Sequence, residues 1–244
     1  MKAVGLTRYL PIEDPSALQD VSIATPGEPQ GRDLLVRIHA VSVNPVDTKQ
    51  RAPRAQQDHS PRILGYDAAG VVEAVGPEVT AFAPGDEVYY AGDVTRPGCN
   101  AQYQWVDERL VGRKPTTLDF AEAAALPLTT LTAWELLFQR MPLHFEDRRH
   151  RGQHLLIIGG AGGVGSIAIQ LARHAGFTVI ATASREQTRA WCLQMGADHV
   201  IDHRQPLAAQ LQALGVAQVQ VALNLADTDH YWDALGELLA PQGH

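Results

Sequence analysis

The stretch LLIIGGAGGVGSIAIQLA, Leu155 to Ala172, constrains this chain more than any other. An unbroken apolar run leads into glycines at 160, 162 and 165 and then into a helical pattern. The G-x-G-x-x-G spacing therefore stands between a buried strand and the opening of a helix, the context that separates a dinucleotide site from a chance match. Gly160 permits the tight turn, Gly162 lets the backbone approach a pyrophosphate, and Gly165 lets helix and strand pack closely. The N–H groups at the helix opening, those of Gly163 and Val164 among them, lie at the positive end of its dipole and suit an anion. A tight β–α turn with no ligand is the competing reading, and the strand–loop–helix context weighs against it.

The surroundings agree with such a fold. From His154 onward the strand-like runs LLIIG, TVIAT, HVI and VQVALN alternate with amphipathic helices. One helix carries Val164, Ile167, Ala168 and Leu171 at i, i+3, i+4 and i+7, a single buried stripe. The next carries Thr188, Trp191, Cys192 and Met195 at the same spacing and stops at Gly196, a suitable C′ residue. Continuous apolar strands alternating with helices imply a parallel sheet covered on both faces. Before about residue 120 the grain differs. LLVRIHAVSV, AAGVVEAV and DEVYYA read as short strands broken by Pro and Gly, which argues for a β-rich, barrel-like domain. Between the halves, FAEAAALPLTTLTAWELLF is helix-like, with Pro127 kinking or splitting it. The fold class expected is thus α/β with a β-rich domain, residues 1–122 followed by residues 123–244.

Composition matters mainly for what it excludes. A net charge of −7 argues against a nucleic-acid partner held by phosphate contacts. No apolar run approaches the ~20 residues that span a bilayer, and the N-terminus has no secretory pattern. Cys99 and Cys192 are the only cysteines, which rules out a disulfide framework; one bridge stays open from sequence, and two reduced thiols in a cytoplasmic protein are expected over it. The ten histidines show no metal-ligand spacing, and EDRRHRGQH, Glu146 to His154, reads as a solvated charged link.

The end of the second strand bears on which dinucleotide is bound. An NAD enzyme places Asp or Glu about 20 residues beyond the loop, on the ribose 2′-OH. Here VIATASREQTR has no acid at that point; the strand runs out at Ala183-Ser184-Arg185. A hydroxyl and a guanidinium suit a 2′-phosphate, so Ser184 and Arg185 predict a preference for NADP(H), with Arg189 a weaker contributor.

Six segments in order, VNPVDTK, LGYDAAGVVEAVGPEV, FAPGDEVY, AALPLTTLTAWELL, GGAGGVGSIAIQLAR and GADHVID, resemble the medium-chain dehydrogenase/reductase superfamily along the whole chain. The combination is most similar to its quinone oxidoreductase branch, and within it to proteins described as zinc-type alcohol dehydrogenase-like. The resemblance implies a GroES-like catalytic domain followed by a partial Rossmann sheet, with the active site in the cleft between them. Zinc-dependent members bind their catalytic metal through Cys, His and Cys, at positions that match Asn44, Tyr66 and Leu128. The serine or threonine of the proton relay matches Val46, and the structural zinc lobe finds only Cys99. Neither zinc site is therefore expected.

Metal-free relatives reduce quinones and carbonyl-activated C=C bonds, and the resemblance implies hydride transfer from NADPH to such a small-molecule acceptor. It places Asn44 at the nicotinamide and substrate, Thr132 beside the nicotinamide, Tyr66 as a pocket wall or donor, and Asp47 as an orienting group. His203 stands where relatives often place an aromatic near the adenosine. The chain ends in LGELLAPQGH, where a fifth strand is expected to begin, so it reads as C-terminally truncated, with its fourth strand left as an exposed edge. The full-length family is expected to be homodimeric, and the segment that often makes that contact is missing here. The alternatives are a zinc-type alcohol dehydrogenase with atypical ligands and a catalytically silent nucleotide-binding fragment.

Overall fold

In the computed structural model of the chain, which describes residues 1–146 and 149–244, the first unit is Met1–Leu128 and the second Thr129–His244. The charged link expected over Glu146–His154 includes Asp147 and Arg148, which lie outside the described residues.

The first unit carries β1 (Lys2–Tyr9), β2 (Gln19–Ser22), β3 (Asp33–Val41), β4 (Arg54–Ile63), β5 (Asp67–Val75), β6 (Glu87–Ala91), β7 (Tyr103–Asp107) and β8 (Val111–Arg113). They form a sheet in the order β2-β1-β4 and a larger one in the order β7-β3-β5-β6-β8, all pairs antiparallel. Alternation explains the larger sheet. Leu34 and Val36 of β3 turn to a core shared with Ala68, Val72, Val88 and Tyr90, while Asp33, Leu35 and Arg37 between and beside them are only half-buried. A short helix, α1 (Pro45–Arg51), follows β3; Asn44 is its N-cap and Pro45 opens it, where a missing N–H costs nothing. A second short helix, α2 (Phe120–Ala124), lays Ala123 and Ala124 against Ala69. Two residues separate it from α3 (Pro127–Trp134), so Pro127 splits the helical stretch and opens the second piece.

In the second unit α3 runs into a π-helical turn, Glu135–Arg140, before β9 (His154–Ile158), β10 (Thr178–Thr182), β11 (His199–Ile201) and β12 (Val221–Asn224). All pairs are parallel, in the order β11-β10-β9-β12. The intervening helices are α4 (Gly163–His174), α5 (Glu186–Gln194), α6 (Leu207–Ala213) and α7 (Thr228–Leu238). The continuous apolar run of β9 follows from burial on both faces. Leu155 and Ile157 join a cluster with Ala168, Ile169 and Cys192, whereas Leu156 and Ile158 join one with Leu207, Leu211, Tyr231 and Leu238.

Two expectations need correction. The buried face of α4 is Gly165, Ser166, Ala168, Ile169 and Ala172, with Val164, Ile167 and Leu171 half-buried at its flank and packed against the same core. The reason is the close approach at Gly165, which turns a small-residue face to the sheet. Nor is the outer edge of β12 bare. Val219 bridges Leu239 in parallel, Ala240 N donates to Val219 O at 2.9 Å, His244 N to Gln220 O at 3.0 Å, and Ala222 N to His244 O at 2.8 Å. The last residues lie along that edge and satisfy part of it.

Candidate active site

In the second unit the strand order reverses between β9 and β12, and in open α/β sheets ligands bind outside the carboxyl ends of the strands at such a point. The loop after β9 supplies one wall. Gly159 adopts φ +81°, Gly162 caps α4, and Gly162 N donates to Gly159 O at 3.1 Å. The three motif glycines are glycines for different reasons. A Cβ at Gly165 would lie 2.5 Å from Gly159 O and 2.7 Å from Gly160 O; one at Gly160 would lie 2.7 Å from Ala181 Cβ. Both are demanded by internal packing. A Cβ at Gly162 would meet only Gly159 O at 3.4 Å, so the protein itself does not require glycine there. A bare backbone facing outward at a helix N-terminus fits a pyrophosphate. Gly163 and Val164 begin the helix at this point; a Cβ on Gly163 would press Thr129 Cγ2 at 2.9 Å. Thr132 sits half-buried on α3.

The opposite wall ends in Asn224, at the carboxyl end of β12 and in register with Ile158. Its Oδ1 accepts from Ala226 N at 3.2 Å, but its buried Nδ2 has no partner. A buried, unmatched amide donor at the switch point is a feature sequence reading passed over; its position at the end of the fourth strand was the available signal.

At the end of β10, Ser184 is half-buried and Arg185 exposed as the N-cap of α5. Backbone groups of Arg185 make the cap: its N donates to Thr188 Oγ1 at 3.3 Å and its O accepts from that hydroxyl at 2.9 Å. Arg189 is half-buried in α5. Its Nη1 donates to Ala183 O at 3.2 Å and its Nη2 to Val200 O at 2.8 Å, which ties two strand ends together. His203 is half-buried in the turn after β11. Beside it Arg204, not singled out from the sequence, donates from Nη2 to Ser184 O at 3.1 Å.

The first unit gathers a second group of residues, and here the three positions 44, 66 and 128 do come together. Asn44 Nδ2 donates to Asp67 Oδ2 at 2.7 Å, and Leu128 N donates to Asp67 Oδ1 at 2.8 Å. Tyr66 packs with Leu6, Tyr9, Leu64, Val46 and Leu128. Asp47 works on the backbone, its Oδ2 accepting from Asn44 N at 2.7 Å and its Oδ1 from Gly65 N at 3.1 Å. Two carboxylates thus fix Asn44, one through its backbone and one through its side chain. A primary amide carries two N–H groups, and Asp67 accounts for one of them.

Asp67 has no exposed surface, and burial lifts its carboxyl to about 6 against the opposing hydrogen bonds from Asn44 and Leu128 N. Asp67 was passed over in sequence, although an acid inside the apolar run YDAAGVV was a visible signal. Cys99 Sγ donates to Asp67 O at 3.2 Å, and burial pushes its thiol up to about 12, which leaves it an inert, free cysteine. Tyr66 is 1% exposed and its hydroxyl has no hydrogen-bond partner. Burial raises the phenol, while the nearby Arg62 guanidinium opposes that rise. The well-formed hydrogen bonds of Arg62 go from Nη1 to Tyr9 Oη at 3.1 Å and from Nη2 to Gln50 Oε1 at 2.7 Å.

As a zinc site this set does not fit. An amide, a phenol and an alkyl side chain stand at the three positions, where zinc takes thiolate, imidazole or carboxylate. Among the described residues no group of three or more His, Cys, Asp or Glu could hold a metal ion, and no helix is long and apolar enough to cross a membrane.

Residues 30–116 match the alcohol dehydrogenase GroES-like domain, and residues 163–244 match the zinc-binding dehydrogenase family. The chain is 43% identical over 244 residues to a zinc-type alcohol dehydrogenase-like protein of Staphylococcus aureus, a match covering all of this chain and 72% of that protein. A crystal structure from Rhizobium etli, provisionally assigned as a zinc-dependent alcohol dehydrogenase, superposes with a TM-score of 0.91 at 51% identity, over all of this chain and 70% of that one. Escherichia coli quinone oxidoreductase, solved in complex with NADPH, superposes with a TM-score of 0.81 at 28% identity, over all of this chain and 71% of that one.

Proposed function

This chain belongs to the medium-chain dehydrogenase/reductase superfamily and is an oxidoreductase of that family, and from this we propose that it transfers hydride from NADPH to a quinone or an α,β-unsaturated carbonyl without zinc. The observation that carries the reading is the meeting of an amide, a phenol and an alkyl side chain at Asn44, Tyr66 and Leu128, none of them an ordinary zinc ligand. Without a Lewis acid, hydride exchange with an isolated alcohol or aldehyde is difficult. A quinone or enone spreads the arriving charge over a conjugated system and needs only hydrogen-bond donors at its oxygen.

Residues 1–122 are assigned to the catalytic domain and residues 123–244 to the dinucleotide-binding domain. Bound NADP(H) supplies the hydride. Its pyrophosphate is assigned to the loop from Gly160 through Gly162, Gly163, Val164 and Gly165, its 2′-phosphate to Ser184 and Arg185, and its adenosine to His203. Asn224 offers an unmatched donor toward the nicotinamide side, and Thr132 is assigned to pack there. In the first unit the second N–H of Asn44 donates to the substrate oxygen as charge develops, and the Tyr66 hydroxyl adds a second donor. Asp47 and Asp67 hold the Asn44 amide in one orientation, which removes a reorganisation cost at the moment of reaction.

Turnover of NADPH against a panel of quinones and enones, alongside metal analysis of the purified protein, tests the proposal. The expected result is acceptor-dependent oxidation that survives chelation. Stoichiometric zinc lost together with activity overturns it in favour of an atypical zinc enzyme, and NADPH binding without oxidation favours a silent nucleotide-binding protein. Asn44→Ala should cut turnover about 100-fold, the range for one oxyanion donor. Ser184→Asp combined with Arg185→Ala should shift preference toward NAD.

A further inference from the structure

We propose that Arg204 is a specificity-determining residue that grips the 2′-phosphate of NADP(H) beside Ser184 and Arg185, an inference that rests on the NADP(H) reading above. The sequence offers two arginines at the start of α5, and the structure leaves Arg185 exposed and Arg189 half-buried. Arg189 gives one N–H from each Nη to the carbonyls of Ala183 and Val200, which holds its guanidinium against the strands. Arg185 alone would face a phosphomonoester of about −1.5 to −2 charge.

Arg204 supplies the second cation, from a different turn. Its Nη2 reaches Ser184 O at 3.1 Å, which brings the turn after β11 against the turn after β10. Asp202 anchors the base of the fork: Nε lies 3.0 Å from Oδ1 and Nη2 lies 2.7 Å from Oδ2. Of the five guanidinium N–H groups, the two on Nη1 make no hydrogen bond or ion pair among the described residues, and the side chain is 62% exposed against 22% for Asp202. An anchored planar fork with one face left open suits a phosphate better than a mobile lysine would.

Arg204 also answers an objection to NADP(H). A carboxylate at this turn would repel a 2′-phosphate, and Asp202 is ionised, its pKa held down to about 2 chiefly by the hydrogen bond from Arg204. Pairing neutralises that charge, so one residue masks the acid and presents the donors. An exposed pair of this kind adds little stability, so its loss should not unfold the protein.

The test is calorimetric titration of the full chain with adenosine 2′,5′-bisphosphate and with 5′-AMP, which differ only in the 2′-phosphate. Arg204→Gln should weaken the bisphosphate roughly tenfold to a hundredfold and leave AMP within about twofold. Arg204→Lys, which keeps charge but loses the fork, should fall between. Bisphosphate binding unchanged in Arg204→Gln overturns the inference alone, as does an equal loss for both ligands, which would mark a structural role. Wild-type protein that does not prefer the bisphosphate overturns the NADP(H) reading and this inference with it.

Discussion

The candidate sites of the two units are built in opposite ways. In the second unit polar groups are left open: Gly162 presents bare backbone outward, Arg204 the open side of its fork, and Asn224 a buried amide donor without a partner. In the first unit they face one another. Asn44, Asp47 and Asp67 are all buried and share their hydrogen bonds, so little is left over for a ligand. The outward site leaves polar groups unsatisfied; the inward site holds one amide through two carboxylates.

The largest expected effect contrasts two glycines of the outward site. Gly165→Ala forces a Cβ against two carbonyl oxygens and should cost about 1–3 kcal/mol of unfolding free energy. Gly162→Ala meets only Gly159 O, at an ordinary contact distance of 3.4 Å, and should change stability by less than about 0.5 kcal/mol, yet weaken dinucleotide binding at least about tenfold. Denaturant unfolding and fluorescence titration with NADPH measure the pair. Should Gly162→Ala bind NADPH as tightly as wild type, the outward-facing loop is not a dinucleotide cradle.

That contrast also explains what was legible in the sequence. The glycine loop is contiguous, so the spacing of Gly160, Gly162 and Gly165 and its flanking strand and helix carry the whole argument. The parallel sheet formed by β9 to β12 was likewise readable, because burial on both faces leaves an unbroken apolar run, whereas the strand order comes from the structure. The network around Asn44 is not local. It joins positions 44, 67 and 128, and only β5 and the start of α3 bring them together. Resemblance nominated Asn44 and Tyr66, but nothing in the spacing announced Asp67 as their organiser. Arg189 and Arg204 show the same limit: carbonyl partners six and twenty positions away are not announced by any local spacing.

The inward site predicts a split between stability and activity with pH. Asp67 has a folded pKa of about 6, above the 3.8 of an exposed carboxyl, because burial disfavours its charge. The cost of that charge is fully present above pH 6 and relieved as pH falls toward 4, so wild-type stability should rise over this interval by on the order of 2–3 kcal/mol from this group. Activity should move the other way, since a protonated Asp67 no longer accepts fully from Asn44 Nδ2. Asp67→Asn should flatten the contribution of this group and lower kcat at pH 7.5 without lowering stability. Parallel loss of stability and activity on acidification would show that Asp67 does not organise the site.

The smallest effect is the sharpest test of the inward design. Tyr66 buries a hydroxyl with no partner, at a cost of about 1–3 kcal/mol that a pure space-filler would have no reason to retain. Tyr66→Phe removes that oxygen while keeping the ring against Leu6, Leu64 and Leu128. Stability should therefore rise by about 1 kcal/mol, visible as a higher Tm. If the hydroxyl waits for a substrate oxygen, the more stable variant should also be the poorer enzyme, with kcat down about tenfold and NADPH affinity unchanged. A stabilised variant with wild-type kcat would reduce Tyr66 to a filler and leave Asn44 as the sole donor of the first unit. A destabilised variant would mean that the phenol finds a partner in solution, and that this site, too, is closed upon itself.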